Sequence, residues 1–307
     1  MRLTTFAKYA WGVLFFNIFV ILWGAVVRAT GSGAGCGSHW PLCNGEVIPL
    51  APRIETIVEF VHRLSSGLAF LLVLGLFLWS LRAFPKGNKI RFAAGLSFLF
   101  IITEALIGAG LVLFRWVAQD TSVARAFAIV FHLINTFILL ASLVLTAWLS
   151  SGAKRAEFPG KRMIKIFLAL GLVGTIILGA SGALTALGDT LFPSGSLSEG
   201  LQQDFLPTAH FLIRLRVLHP TIAIIVGVYL ITMAGILRLQ EDDPDTLRIA
   251  RLLTLGILLQ LGVGFLNLFL LAPVWMQIVH LFFADLVWII LVLLFYSSLG
   301  LSYNTRL

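Results

Sequence analysis

Glu59-Phe-Val-His62-Arg63-Leu-Ser-Ser66-Gly67 heads an apolar run that continues to about residue 81. A helix crossing a bilayer needs about 20 mostly apolar residues, and this run supplies them. Charged and imidazole groups are costly in a membrane, so an acid, a histidine and an arginine within five residues of such a run mark a functional site. Seven more runs of spanning length lie at roughly 9–29, 92–114, 122–149, 163–187, 207–237, 249–271 and 274–302. The connections are too short for a soluble domain. The first run, Tyr9 to Val27, has no small-residue cleavage site after a short core and is expected to span rather than act as a signal peptide. The expected fold is an all-α integral membrane protein with eight transmembrane helices.

Composition agrees. Of 307 residues 59% are hydrophobic and 12% charged, with a mean hydropathy of +0.99, whereas soluble domains carry about 25% charge. The net charge of +8 is therefore assigned to loop cations that orient helices and not to nucleic-acid binding. Arg2, Lys8, Arg82, Lys86, Lys89, Arg91, Lys154, Arg155, Lys161, Arg162, Lys165, Arg238, Arg248, Arg251 and Arg306 fall on one side, against Arg53, Arg115 and Arg125 on the other. The bias predicts a multi-pass cell-membrane protein with both termini cytoplasmic and the 31–57 and 188–206 loops outside.

The 31–57 loop holds both cysteines, in Gly35-Cys36-Gly37-Ser38-His39-Trp40-Pro41-Leu42-Cys43. An oxidising compartment allows a disulfide there. Two free thiols, or zinc on Cys36, His39 and Cys43 with a fourth ligand missing, are the alternatives.

Spans 1–4 and 5–8 read as a duplication. Gly24-Ala-Val-Val-Arg-Ala-Thr-Gly resembles Gly182-Ala-Leu-Thr-Ala-Leu-Gly-Asp; Leu106-Ile-Gly-Ala-Gly-Leu resembles Leu261-Gly-Val-Gly-Phe-Leu; Ile129-Val-Phe-His132 resembles Gln277-Ile-Val-His280. Four spans per half keep the same orientation, so the expected arrangement is two four-helix bundles, 1–155 and 156–307, related as a parallel repeat. His62, His132, His219 and His280 fall on the four even spans at matched depth, about 7–18 Å from the outer ends. Two histidines on facing helices of a four-helix unit can supply both axial nitrogens of a haem, giving one haem per half toward the outer leaflet. A carboxylate di-iron site would need a second Glu-x-x-His. A proton relay through Glu59, Glu104 and Asp285 would not call for paired histidines. Arg28, Arg63, Arg214 and Arg216 are candidates to pair with haem propionates, or to snorkel to the interface. His210 competes with His219, which Pro220 follows; that proline is expected to bend span 6.

Taken together, the chain resembles the haem A synthase family, through its eight spans, the end of span 1, the Cys36–Cys43 loop and Glu59-Phe-Val-His62-Arg63. The resemblance implies oxidation of the C8 methyl of haem O to a formyl group, giving haem A. It implies substrate haem between His62 and His132, and a haem b held by His219 and His280 that passes electrons. It implies Glu59 as the carboxylate beside the substrate, and Cys36 and Cys43 as an outer-loop disulfide. Some bacterial members have a second cysteine pair after span 5; the loop from Gly188 has none. The implied partners are haem O, the enzyme that makes it, an unidentified electron donor and the lipid bilayer, with no nucleic acid. Small-residue patches such as Gly108-Ala-Gly110 can pack within the chain or in a homo-oligomer. The competing functions are a dihaem b-type quinol electron-transfer protein and a haem-binding chaperone or transporter for oxidase assembly.

Overall fold

A computed structural model describes residues 3–50, 52–152, 162–241 and 243–299. The expected boundary at residue 155, and the cations Arg2, Lys154, Arg155, Lys161 and Arg306, lie outside the described residues. The helices are α1 (Thr5–Ala29), α2 (Ile54–Ala83), α3 (Lys89–Leu113), α4 (Val123–Ser150), α5 (Arg162–Leu191), α6 (Leu197–Asp204), α7 (Phe211–Leu215), α8 (Leu218–Gln240), α9 (Pro244–Phe269) and α10 (Val274–Ser298). With Phe211–Gln240 taken as one span, eight helices are long and apolar enough to cross a membrane. No β-strand occurs among the described residues; Cys43 and Glu46 form an isolated bridge.

Local chemistry sets the helix ends. Thr4, Asn88, Ser122 and Asp243 accept backbone N–H bonds as N-caps of α1, α3, α4 and α9. Asp243 followed by Pro244 starts α9 ahead of the expected residue 249, because a cap and an N1 proline outweigh the polarity of that first turn. Span 6 breaks between α7 and α8, immediately before His219-Pro220. Proline has no N–H to offer the carbonyl four residues back, and its ring crowds that carbonyl. The small helix α6 was not anticipated. Its Ser196 cap accepts the Glu199 N–H while Glu199 accepts the Gly195 N–H, a capping box in a stretch too polar to span.

Consecutive helices pack side by side, and α1, α4, α5 and α10 meet at the centre. One apolar core joins α1–α4 to Trp288, Ile289, Val292 and Leu293 of α10. The other joins α5, α8, α9 and a different face of α10. Trp288 stacks on Phe137 at 4.8 Å and donates its indole N–H to the Phe137 carbonyl at 2.7 Å. Phe15, Phe19, Leu64, Leu71, Phe131, Val228 and Leu255 point outward and are exposed, as lipid-facing side chains are.

Corresponding contacts recur along the two halves. Tyr9 Oη bonds the Leu72 carbonyl between α1 and α2; Tyr229 Oη bonds the Phe167 carbonyl between α5 and α8, with the donor on the other helix. The turns after α3 and α9 match as well: Trp116 N–H bonds Leu111 O, Ala272 N–H bonds Asn267 O, and Arg115 and Leu271 share a φ of 60°. This register aligns Gly108 with Gly264 and Glu104 with Gln260, one residue away from the motif alignment read in the sequence.

Candidate functional site

Each of the four histidines lies within the first ten residues of its span, on the side that carries the two long connections. Each faces a glycine of the preceding span. A Cβ added at Gly24 would lie 2.9 Å from His62 Cε1; at Gly182, 2.9 Å from His219 Cε1; at Gly264, 2.9 Å from His280 Cε1. Gly108 is looser, 4.0 Å from His132 Cε1. Real Cβ atoms do not approach to 2.9 Å, so three of these glycines are required by the imidazole beside them. They were visible in the sequence as small residues but not as partners of histidines, since only the packing of neighbouring spans pairs them.

The rings are short of partners. His62 Nδ1, His132 Nδ1 and His280 Nδ1 are buried with no hydrogen bond. His219 Nδ1 lies 3.1 Å from Ser181 Oγ. His219 and His280 face each other with centroids 6.2 Å apart and planes at 87°. His62 and His132 lie within electrostatic reach of each other. His210 is placed differently: it caps α7 by accepting the Leu212 N–H and packs on Phe192 and Phe211.

Glu59 is buried at 3% exposure. Its Oε1 accepts from Arg63 Nη2 at 2.5 Å and Nε at 3.1 Å, and its Oε2 from the Cys36 N–H at 2.8 Å. Arg63 also donates to the His39 and Leu42 carbonyls. Cys36 and Cys43 are disulfide-bonded, so the free-thiol and zinc alternatives fall away. Gly35 presses against the first turn of α2, where a side chain would strike the Glu55 carbonyl. The first long connection is thus fastened to Glu59 and Arg63, the residues that bracket His62 along α2.

The other arginines are placed as follows. Arg28 donates to Ala186 O at 2.6 Å, Thr190 Oγ1 at 2.7 Å and Gln277 Oε1 at 2.8 Å, tying α1 to α5 and α10. Arg216 pairs with Asp204 at 3.0 Å and Asp189 at 3.2 Å and donates to Phe192 O, but its buried Nη2 has no partner. Burial pushes the Asp204 carboxyl above its ordinary range against the pull of Arg216. Arg214 is exposed. Asp285 is 1% exposed, with neither oxygen partnered. Gly108 and Gly110 face His132 and Phe114 of the same chain. Among the described residues no group of three or more His, Cys, Asp or Glu side chains is placed to hold a metal ion, so any metal here depends on paired histidines and a ligand of its own.

Known proteins place this arrangement. A family model described as COX15-CtaA, cytochrome oxidase assembly protein, matches residues 7–292. A protohaem IX farnesyltransferase of Thermus thermophilus is 55% identical over 272 residues, 89% of this chain and 45% of that one. A haem A synthase of Exiguobacterium sibiricum is 35% identical over 59% of this chain and 58% of its own. One from Geobacillus kaustophilus is 38% identical over 49% and 47%. The chain spans about half the length of these curated relatives. Since the family match runs through all eight spans, the chain belongs to the COX15-CtaA family, the haem A synthase family of cytochrome oxidase assembly proteins.

Proposed function

We propose that this protein is a membrane oxidoreductase of haem A biosynthesis, oxidising the C8 methyl of haem O to a formyl group. In this reading His62 and His132 hold the substrate haem, and His219 and His280 hold a resident haem b. The observation that carries it is the glycine-backed histidine, repeated four times near the same end of the spans, with a buried ring nitrogen left unpartnered in His62, His132 and His280. Two imidazoles on opposite sides of one metal, with metal–nitrogen bonds of about 2 Å as in zinc–imidazole sites, have centroids about 6 Å apart. The 6.2 Å between His219 and His280 fits that spacing. Haem b, when bound, supplies one-electron transfer at a potential tuned by its ligands and their neighbours.

The protein's own residues bind, orient and exclude water. Gly24 and Gly108 leave the space His62 and His132 need. Glu59 and Arg63 hold the disulfide-closed loop against the outer end of α2, next to His62. Glu59 has both oxygens engaged; taking up a proton requires release of Arg63 or Cys36 N. Arg216, with its free Nη2, and the exposed Arg214 are the arginines assigned to propionates, since Arg28 and Arg63 are committed to protein acceptors. The loop cations support cytoplasmic termini, which puts the histidines toward the outer leaflet. Partnership with the enzyme that makes haem O is supported by the farnesyltransferase relative, whose other half lies outside the match; the electron donor is a further partner.

The test is haem analysis of protein purified from a host that supplies haem O. Haem A or hydroxymethyl haem beside haem B is expected. Haem B alone overturns the assignment and leaves a dihaem electron-transfer protein; haem O bound but never altered leaves a chaperone.

A further inference from the structure

Glu104 on α3 is absorbed by none of these roles, yet it lies in the membrane beside His132. Its Oε1 is 3.5 Å from His132 Nδ1 and 2.5 Å from Thr136 Oγ1; its Oε2 is 2.5 Å from Asn135 Nδ2. Asn135 is itself held by Thr103 Oγ1 and the Phe100 carbonyl. The carboxylate is thus fixed from α4 and aimed at His132 Nδ1, a buried ring nitrogen with no hydrogen bond. The 3.5 Å contact is an ion-pair distance just beyond hydrogen-bond length, which is why Nδ1 counts as unpartnered. In the register set by the matched turns, the C-terminal counterpart of Glu104 is Gln260. Its Nε2 lies 3.4 Å from His280 Nε2, and its Oε1 has no partner. The two side chains have almost the same shape but meet their histidines differently: the Glu104 carboxylate faces Nδ1 of His132, whereas the neutral Gln260 faces Nε2 of His280 and leaves its Nδ1 without a partner.

We propose that Glu104 is a positioning residue for His132. It accepts the Nδ1–H, fixes the tautomer that leaves Nε2 free for iron, and lends the ring negative charge. Gln260 meets His280 at Nε2 and puts no carboxylate behind that ring. A carboxylate behind a ligating imidazole makes it a stronger donor, which favours oxidised iron and lowers the potential of that site. The proposal rests on the haem-binding reading and adds an electronic inequality between the two sites.

The experiment is a spectroscopic redox titration of haem-loaded protein carrying Glu104→Gln or Glu104→Asp. Glu104→Gln is expected to raise the midpoint of one transition and leave the other, with Glu104→Asp moving part of the way back. A role as helix–helix glue would alter melting temperature without a signed shift in potential. If both haems are retained and neither exchange moves a midpoint, the proposal is overturned while the functional reading stands. If the unaltered protein binds no histidine-ligated haem, the functional reading fails first. Should Glu104→Gln not fold, Glu104→Asp carries the test alone: a smaller upward shift of the same midpoint is expected, and an unmoved midpoint overturns the proposal.

Discussion

Glu59 and Arg216 stand three residues before His62 and His219, and they carry opposite charges. Both are buried, and both fasten a long connection over a histidine, by different chemistry. Glu59 and Arg63 grip main-chain groups: the Cys36 N–H and the His39 and Leu42 carbonyls. Gripping a backbone works only if that backbone holds its shape, and the Cys36–Cys43 bridge within the gripped segment supplies the rigidity. Arg216 grips two side-chain carboxylates, Asp189 at the end of α5 and Asp204 at the end of α6, with the Phe192 carbonyl as its main-chain acceptor. Those carboxylates ride on helices that are already rigid, so the second connection needs no disulfide, and the absence of cysteines there has a physical account.

The largest expected effect tests whether the clamps serve the histidines at all. His62→Ala abolishes haem A formation while circular dichroism stays helical; retained product would detach the first clamp from the site. Next is Arg216→Ala, which strands two partly buried carboxylates and lowers stability by about 3 kcal/mol, read as an earlier thermal transition in detergent. A loss no greater than that of an exposed arginine would show that the ionic clamp is idle. Cys36→Ser follows. A bridge closing so short a loop contributes about 2 kcal/mol, and its loss should lower activity with the bundle intact. Reductant applied to the unaltered protein should do the same; labelling that finds both cysteines free under oxidising conditions would break the contrast between the halves. The smallest effect separates the glycines: Gly24→Ala displaces His62 and changes the haem spectrum, whereas Gly108→Ala leaves it nearly unaltered because 4.0 Å accommodates a methyl group.

Much of this could be read along the chain. Hydropathy located the eight spans, since each carries its own apolar length. The four histidines announced themselves by matched depth, and Pro220 by removing a backbone donor. The other features depend on which spans are neighbours, and periodicity along one span does not carry that. Gly24 beside His62, Glu104 beside His132 and Arg28 reaching α5 and α10 all join residues of different spans. Helix α6 escaped notice because it is polar and short, although Ser196-Leu-Ser-Glu199 is a legible capping box. The glycine motifs and the turns after α3 and α9 suggest registers one residue apart, because glycine patterns in apolar runs are repetitive whereas the turns are more distinctive.

Trp288 gives α10 a consequence in time. The apolar core of the first four spans is closed by Trp288, Ile289, Val292 and Leu293, residues synthesised long after α4 has entered the bilayer. Until α10 arrives, that seam faces lipid or a temporary companion, and the Phe137 carbonyl waits for its indole. The core of the first four spans is therefore complete only once α10 has been made, so the N-terminal half depends on the C-terminal half for its packing.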